Sequence, residues 1–352
     1  MEGVTVGRSA PARSARGERR LLAPAAMRRA LPAAREAGAS VRAARESLRA
    51  LLHGRDRGRL LVIVGPGSLH DPEGALDYAR RLGRLAETLA GELVVVMRCF
   101  VDRPRSAGGW QGLVRDPERD GSCDLGLGLA TARQLLRRIA ELSLPCATEL
   151  QEPFTGPYLE DLVAWGAVGA CTSDSPVHRQ LASAAPFPVG FETGSGGGLD
   201  AALRAMRAAG APQSFPALGD DGACVVRATA GNPDRHLVLR RRSCDAGAIA
   251  AACGRAADQG VARAVLYDCA RGRSGGDPRD QSLACRAALA ALRAGAPGLL
   301  GVMLRSYLEE GRQDAPPGRR LRYGVSIDGA CIGWQETGDL LCEIAEAVKL
   351  SR

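Results

Sequence analysis

From residue 60 onward, short apolar runs alternate with stretches whose apolar positions recur every three or four residues, the pattern of strands that are each followed by an amphipathic helix. Eight runs are aliphatic or β-branched and bounded by Gly, Pro or charge: residues 60–64, 93–100, 145–150, 168–172, 189–193, 236–240, 264–269 and 299–304. The clearest helix is predicted to start at Asp71, whose carboxylate can cap free backbone N–H groups, with Pro72 in its first turn. It carries Leu76, Ala79, Leu82, Leu85 and Leu89 on one face and is predicted to stop at Gly91. Further helices are predicted over 40–52, 128–142, 175–184, 199–209, 245–260, 278–294 and 337–349. Between the fifth and sixth runs, 214–218 and 223–230 have no helix between them and read as an inserted hairpin. The pattern predicts an α/β fold, a closed (β/α)8 TIM barrel with an N-terminal extension and an inserted β-hairpin. An open doubly wound sheet is the second reading, but the Gly-rich GxGxxG turn it needs after the first strand is missing. Residues 1–55 are expected to form a basic, loosely ordered arm and a helix, and residues 56–352 the barrel domain.

Charge and composition narrow the chemistry. The chain has 352 residues, a net charge of +8 and 45% hydrophobic residues, and no apolar run approaches the roughly 18 to 20 residues of a membrane span. The positive charge is almost all arginine: Lys349 is the only lysine, so the chain lacks the residue on which Schiff-base aldolases depend. Eleven cysteines are scattered without any CxxC pair, which predicts reduced thiols in a cytoplasmic protein. Basic residues are not interleaved with aromatics, which make up 4% of the chain, so neither nucleic acid nor membrane is expected as a partner.

In a (β/α)8 barrel the chemistry gathers at the C-terminal ends of the strands. Here those ends deliver mostly charge. The second run brings Arg98 and leads into Arg103 and Arg105, the third brings Glu149, and the fifth Glu192. The sixth brings Arg240, the seventh Asp268 followed by Arg271, and the eighth leads into Arg305. Arginines converging on one rim suit phosphate or carboxylate ligands, which a guanidinium grips bidentately. Cys171 and Cys269 have no histidine partner legible in the sequence and read as small core thiols.

On longer segments the chain resembles the class I 3-deoxy-D-arabino-heptulosonate 7-phosphate (DAHP) synthases. The segments are GPGSLHDP from Gly65, VMRCFVDRPRSAGGWQGL from Val96, WGAVGACTSDSPVHRQLAS from Trp165, PVGFETGSGG from Pro188, GVMLRSYLEEG from Gly301 and YGVSIDGACIGW from Tyr323. The resemblance implies a (β/α)8 barrel that assembles as a dimer or tetramer. It also implies a divalent metal, held by a Cys, a His, a Glu and an Asp, that polarises the aldehyde of erythrose 4-phosphate for attack by phosphoenolpyruvate. Those four positions are Gly67, Arg271, Arg305 and Gly329 in this chain. The phosphoenolpyruvate-binding Arg and Lys fall on Cys171 and Glu192, whereas Arg98, Arg240, Glu149 and the segment Arg103, Pro104, Arg105, Ser106 match the resemblance apart from a Lys-to-Arg change. The effector-contacting Ser is Pro186, so feedback inhibition by an aromatic amino acid is not carried over.

From these substitutions the sequence predicts a barrel without a metal or other cofactor that does not make DAHP. The favoured reading is a repurposed metal-independent enzyme, performing carbon–carbon bond formation, elimination or cyclisation on an anionic small molecule. Glu149, Glu192 and Asp268 would be its acid or base groups, and Arg98, Arg103, Arg105, Ser106, Arg240, Arg271 and Arg305 its ligand-binding groups. A catalytically dead homologue that pairs with an active DAHP synthase is the alternative, and an active synthase is the least favoured reading. A homo-oligomer is expected in the first case and a hetero-oligomer in the second.

Overall fold

A computed structural model of the chain describes residues 18–103, 109–194, 198–240, 245–270, 277–316 and 319–352. The elements run α1 (Pro24–Ala30), α2 (Arg35–Leu52), β1 (Leu60–Gly65), α3 (Pro72–Thr88), β2 (Leu93–Arg98), α4 (Leu125–Ala140), β3 (Cys146–Glu149), α5 (Gly156–Leu159) and β4 (Val163–Val168). They continue with α6 (Pro176–Ala184), β5 (Val189–Glu192), α7 (Asp200–Gly210), β6 (Gln213–Leu218), β7 (Cys224–Thr229), β8 (Arg235–Leu239), α8 (Ala246–Asp258), β9 (Val265–Asp268), α9 (Asp280–Arg293), β10 (Leu299–Arg305) and α10 (Trp334–Leu350). Eight strands close a barrel in the order β1-β10-β9-β8-β5-β4-β3-β2, all neighbours parallel, and β6 and β7 pair separately as an antiparallel hairpin. The expected TIM barrel with its inserted hairpin is therefore the fold.

Two layers of core follow from the strand period of two. Leu60, Val62, Val64, Val95 and Met97 face outward against the helices, while Leu61, Ile63, Val94, Val96, Trp165, Val238 and Leu266 fill the barrel interior. Leu48, Leu51 and Leu52 at the end of α2 join the interior cluster, so α2 plugs the N-terminal mouth and leaves the C-terminal mouth free for chemistry. Asp71 caps α3 as expected, its side chain accepting from the N–H groups of Glu73 and Gly74.

The structure corrects three readings. The fourth strand is β4, Val163–Val168, rather than 168–172: the stretch from Gly169 turns back on itself, with Thr172 donating to the Gly169 carbonyl. The N-terminal region is helical from Pro24, not from residue 40, and it packs on the barrel. Tyr158 donates to the Leu22 carbonyl, Arg28 pairs with Asp220 at 2.8 Å, and Arg133 donates to the Leu31 carbonyl. Finally, Cys269 is a buried thiol as expected but Cys171 is exposed, on the loop that follows β4.

Candidate active site

All eight barrel strands deliver their ends to the same mouth, where a cavity of about 280 Å³ is lined by Arg98, Arg103, Glu149, Glu192, Arg240, Asp268 and Arg305, with Gly67, Phe100, Met303, Asp328 and Gly329 among the other walls. The sequence-predicted residues thus meet in one place wherever they are described; Arg105, Ser106 and Arg271 lie outside the described residues. No helix among the described residues is long and apolar enough to cross a membrane.

The charges in this cavity are arranged in two groups. In the first, Arg240 lies between two carboxylates, donating to Glu192 Oε2 at 3.0 Å and lying 3.3 Å from Asp268 Oδ2. Its backbone N–H is fixed by Thr193 Oγ1 at 2.9 Å. The neighbouring carboxylates raise the Arg240 pKa against the effect of burial, so its charge is secure. Arg103 is likewise paired, to Asp328 Oδ1 at 3.1 Å.

The second group is a pair of arginines, neither of them in an ion pair with a described residue. Arg98 is 6% exposed, stacks its guanidinium 3.7 Å from the Phe100 ring centre, and donates to the Pro66 and Gly67 carbonyls. Its Nε is buried without a hydrogen-bond partner, and burial together with the like charge of Arg305 pushes its pKa down. The Arg305 guanidinium makes no hydrogen bond or ion pair to a described residue, although its main chain is clamped by Gln281. The Gln281 Oε1 accepts from the Arg305 N–H at 2.8 Å, and its Nε2 donates to the Arg305 carbonyl at 3.2 Å.

Glu149 lines the same cavity, at the end of β3 beside the strand that ends in Arg98. Burial, then the neighbouring Glu192, pushes its carboxyl up to about 8, so it is an acid at neutral pH and can donate a proton. It packs so closely on the turn after β4 that a Cβ at Gly169 would lie 2.6 Å from its Oε1. Burial raises the Glu192 carboxyl as well, opposed by Arg240. Sequence reading missed Phe100, Asp328 and Gln281, which act here through space. Phe100 and Asp328 carried a signal only as members of the family-like segments, and Gln281, in the first turn of α9, carried none.

The positions that the resemblance assigns to a metal were tested against the residues present. Gly67 and Gly329 bring no donor, and an arginine has no lone pair to give. A Cβ at Gly67 would lie 1.7 Å from the Asp328 carbonyl oxygen, so the backbone has closed over the space a ligand side chain would need. A Cβ at Gly329 would lie 2.6 Å from an Arg305 terminal nitrogen. Among the described residues no group of three or more His, Cys, Asp or Glu side chains is disposed to hold a metal ion. These residues do not fit a divalent cation.

Comparison with known proteins follows the same geometry. Residues 37–342 match the model of the DAHP synthetase I family. The chain is 39% identical over 331 residues to the Tyr-sensitive phospho-2-dehydro-3-deoxyheptonate aldolase of Escherichia coli K12, covering 93% of each chain. It is 40% identical over 335 residues to the Phe-sensitive enzyme of the same strain, covering 94% of this chain and 95% of that one. Among solved structures, the phospho-2-dehydro-3-deoxyheptonate aldolase of Francisella tularensis SCHU S4 superposes with a TM-score of 0.90 at 30% identity, over 96% of this chain and 100% of that one. Similarity of this extent overturns the expectation that the activity of these relatives has been lost, and with it the readings of a repurposed enzyme and of a dead regulator. The physical reason is that a metal ligand set and a metal's positive field are separable: fixed guanidinium groups aimed at developing negative charge supply the same sign of field. The residues at Gly67, Arg305 and Gly329 therefore leave the cavity at the barrel mouth intact.

Proposed function

Because the chain belongs to the DAHP synthetase I family, we propose that it is a phospho-2-dehydro-3-deoxyheptonate aldolase, condensing phosphoenolpyruvate, erythrose 4-phosphate and water to the seven-carbon acid and inorganic phosphate. The observation that supports the reading best is the cavity itself, which gathers Arg98, Arg103, Arg240 and Arg305 with Glu149 at the barrel mouth. Arg98 and Arg240 would take the phosphate and carboxylate of phosphoenolpyruvate, with Glu192 and Asp268 holding Arg240 in place. Arg105, Ser106 and Arg271 are proposed to complete the anion contacts. Glu149, protonated at neutral pH, would give the new hydroxyl its proton. The chain would act as a homo-oligomer, with Val226 of the β7 edge, 78% exposed, among the residues covered by a second copy.

The test is direct. Purified protein given both substrates should release inorganic phosphate in step with consumption of phosphoenolpyruvate, and an Arg240→Met variant should not. Phosphate release that needs no erythrose 4-phosphate, or no release at all, would overturn the assignment.

A further inference from the structure

We infer that the guanidinium of Arg305 does the work in this cavity that the resemblance gives to a divalent cation, so that the chain grips phosphoenolpyruvate and polarises the acceptor aldehyde with fixed positive charge alone. The aldehyde half of this statement rests on the proposed function; the anion-gripping half does not.

Three observations carry it. The first is occupancy. The Asp328 carbonyl fills the space beside Gly67, and the Arg305 guanidinium lies against the place where a side chain at Gly329 would begin. The place of a cation is thus taken by a cationic side chain. The second is preorganisation. Arg305 ends β10, and the buried Gln281 holds both its N–H and its carbonyl, so the root of the side chain is fixed before any ligand arrives. The third is an unmet acceptor. Arg103 and Arg240 are paired with carboxylates, whereas Arg305 has no ion pair to a described residue and the neighbouring Arg98 keeps a buried Nε without an acceptor. The like charges of Arg98 and Arg305 repel each other across one cavity, and an anion bound between them relieves that repulsion and supplies the missing acceptor.

The chemistry balances without an added ion. The C3 carbon of phosphoenolpyruvate bonds to the aldehyde carbon, and the carbonyl electron pair moves onto its oxygen. Arg305 N–H groups stabilise that oxygen until the Glu149 carboxyl protonates it. Water adds at the electron-poor C2 and gives one proton back to Glu149; the C2–O bond to phosphate then breaks, the hydroxyl left on C2 becomes the ketone, and its proton leaves with the phosphate.

The experiment uses the full chain stripped with a chelating resin, its metal content verified by mass spectrometry, and phosphoenolpyruvate as the probe in calorimetric titration with and without added manganese. Phosphoenolpyruvate should bind the metal-free chain with a dissociation constant that manganese does not change. Arg305→Met should weaken it at least tenfold, and Arg305→Lys should recover part of the loss; circular dichroism verifies that both variants are folded. Turnover, followed as phosphate release, should resist chelation. Binding that requires manganese, a stoichiometric metal that survives stripping, or an unchanged dissociation constant in Arg305→Met would overturn the inference while leaving the proposed activity standing. Metal-free, Arg305-dependent binding without turnover would support Arg305 as the anion grip and overturn the activity instead.

Discussion

Glu149 shows how one position acquires a chemical role from its surroundings. A carboxyl in water is ionised at neutral pH. Here burial, reinforced by the negative charge of Glu192, holds it as an acid up to about 8. If it supplies the proton of the condensation, turnover should fall as the pH rises through about 8, because the acid form disappears. Glu149→Gln, which keeps the shape but has no such proton, should lose roughly 10²- to 10⁴-fold in kcat and flatten that limb; initial rates between pH 6 and 9.5 would decide it. Glu192 makes the opposite kind of prediction. Its carboxylate competes with any anion for Arg240, so Glu192→Gln should lower KM for phosphoenolpyruvate several-fold. An unchanged KM would mean that Arg240 does not reach the substrate. Of these residues the rim charges were legible in the sequence, because a charged residue at the end of an apolar run in a βα pattern has one place to go. Asp328 was not legible as a partner of Arg103, since it lies on the loop between β10 and α10 and no local period places it.

The elements tell a similar story one level up. Strands such as β1, β2 and β10 are buried along their whole length and read as unbroken aliphatic runs, so the pattern found them. β4 was misplaced because its interior is Val-Ala-Trp-Gly-Ala-Val, in which two alanines and a glycine dilute the aliphatic signal. The glycine is there for packing: Phe187 would lie 2.7 Å from a Cβ at Gly166. The helix α1 and the first turn of α2 escaped notice for a different reason. Their attachment runs through Arg133 on α4, whose side chain is 1% exposed and which a sequence reads as an ordinary surface charge. It donates to the Leu31 and Tyr158 carbonyls and, with both terminal nitrogens, to Asp161 at 2.7 and 2.9 Å. Arg133→Met would leave those carbonyls without a donor and should cost about 2 to 4 kcal/mol, read as a lower urea midpoint. A loss below about 0.5 kcal/mol, the range of ordinary surface substitutions, would show that the helices are held by apolar contacts alone.

For the molecule as a whole, two buried groups with opposite pKa shifts should shape the dependence of stability on pH. His236 accepts from Trp165 Nε1 at 3.0 Å inside the barrel, and burial lowers its pKa to about 4. The unfolded chain therefore takes up the proton first, and the contribution of His236 is lost as pH falls from about 6.5 to about 4. Glu149 has a raised pKa, so the folded chain keeps its proton longer; its contribution is complete below about 4.5 and is lost as pH rises through about 8. Between about pH 4.5 and 6.5 the two slopes oppose each other, and from there to about 8 only Glu149 acts. The wild-type urea midpoint should thus be nearly level through the mildly acid range and decline toward pH 8. Glu149→Gln should abolish that decline and expose a rise from acid pH to a plateau. His236→Gln, whose amide oxygen can still accept from Trp165, should leave only the decline. Phosphoenolpyruvate should stabilise the protein across this series, by about 2.7 kcal/mol at 100 times its dissociation constant, because it binds the folded cavity and not the open chain. The benefit should shrink above pH 8, where ionised Glu149 places a negative charge in the same cavity as the bound anion. A ligand-induced shift in midpoint that stays constant from pH 6 to pH 9 would mean that Glu149 does not face the site at which phosphoenolpyruvate binds.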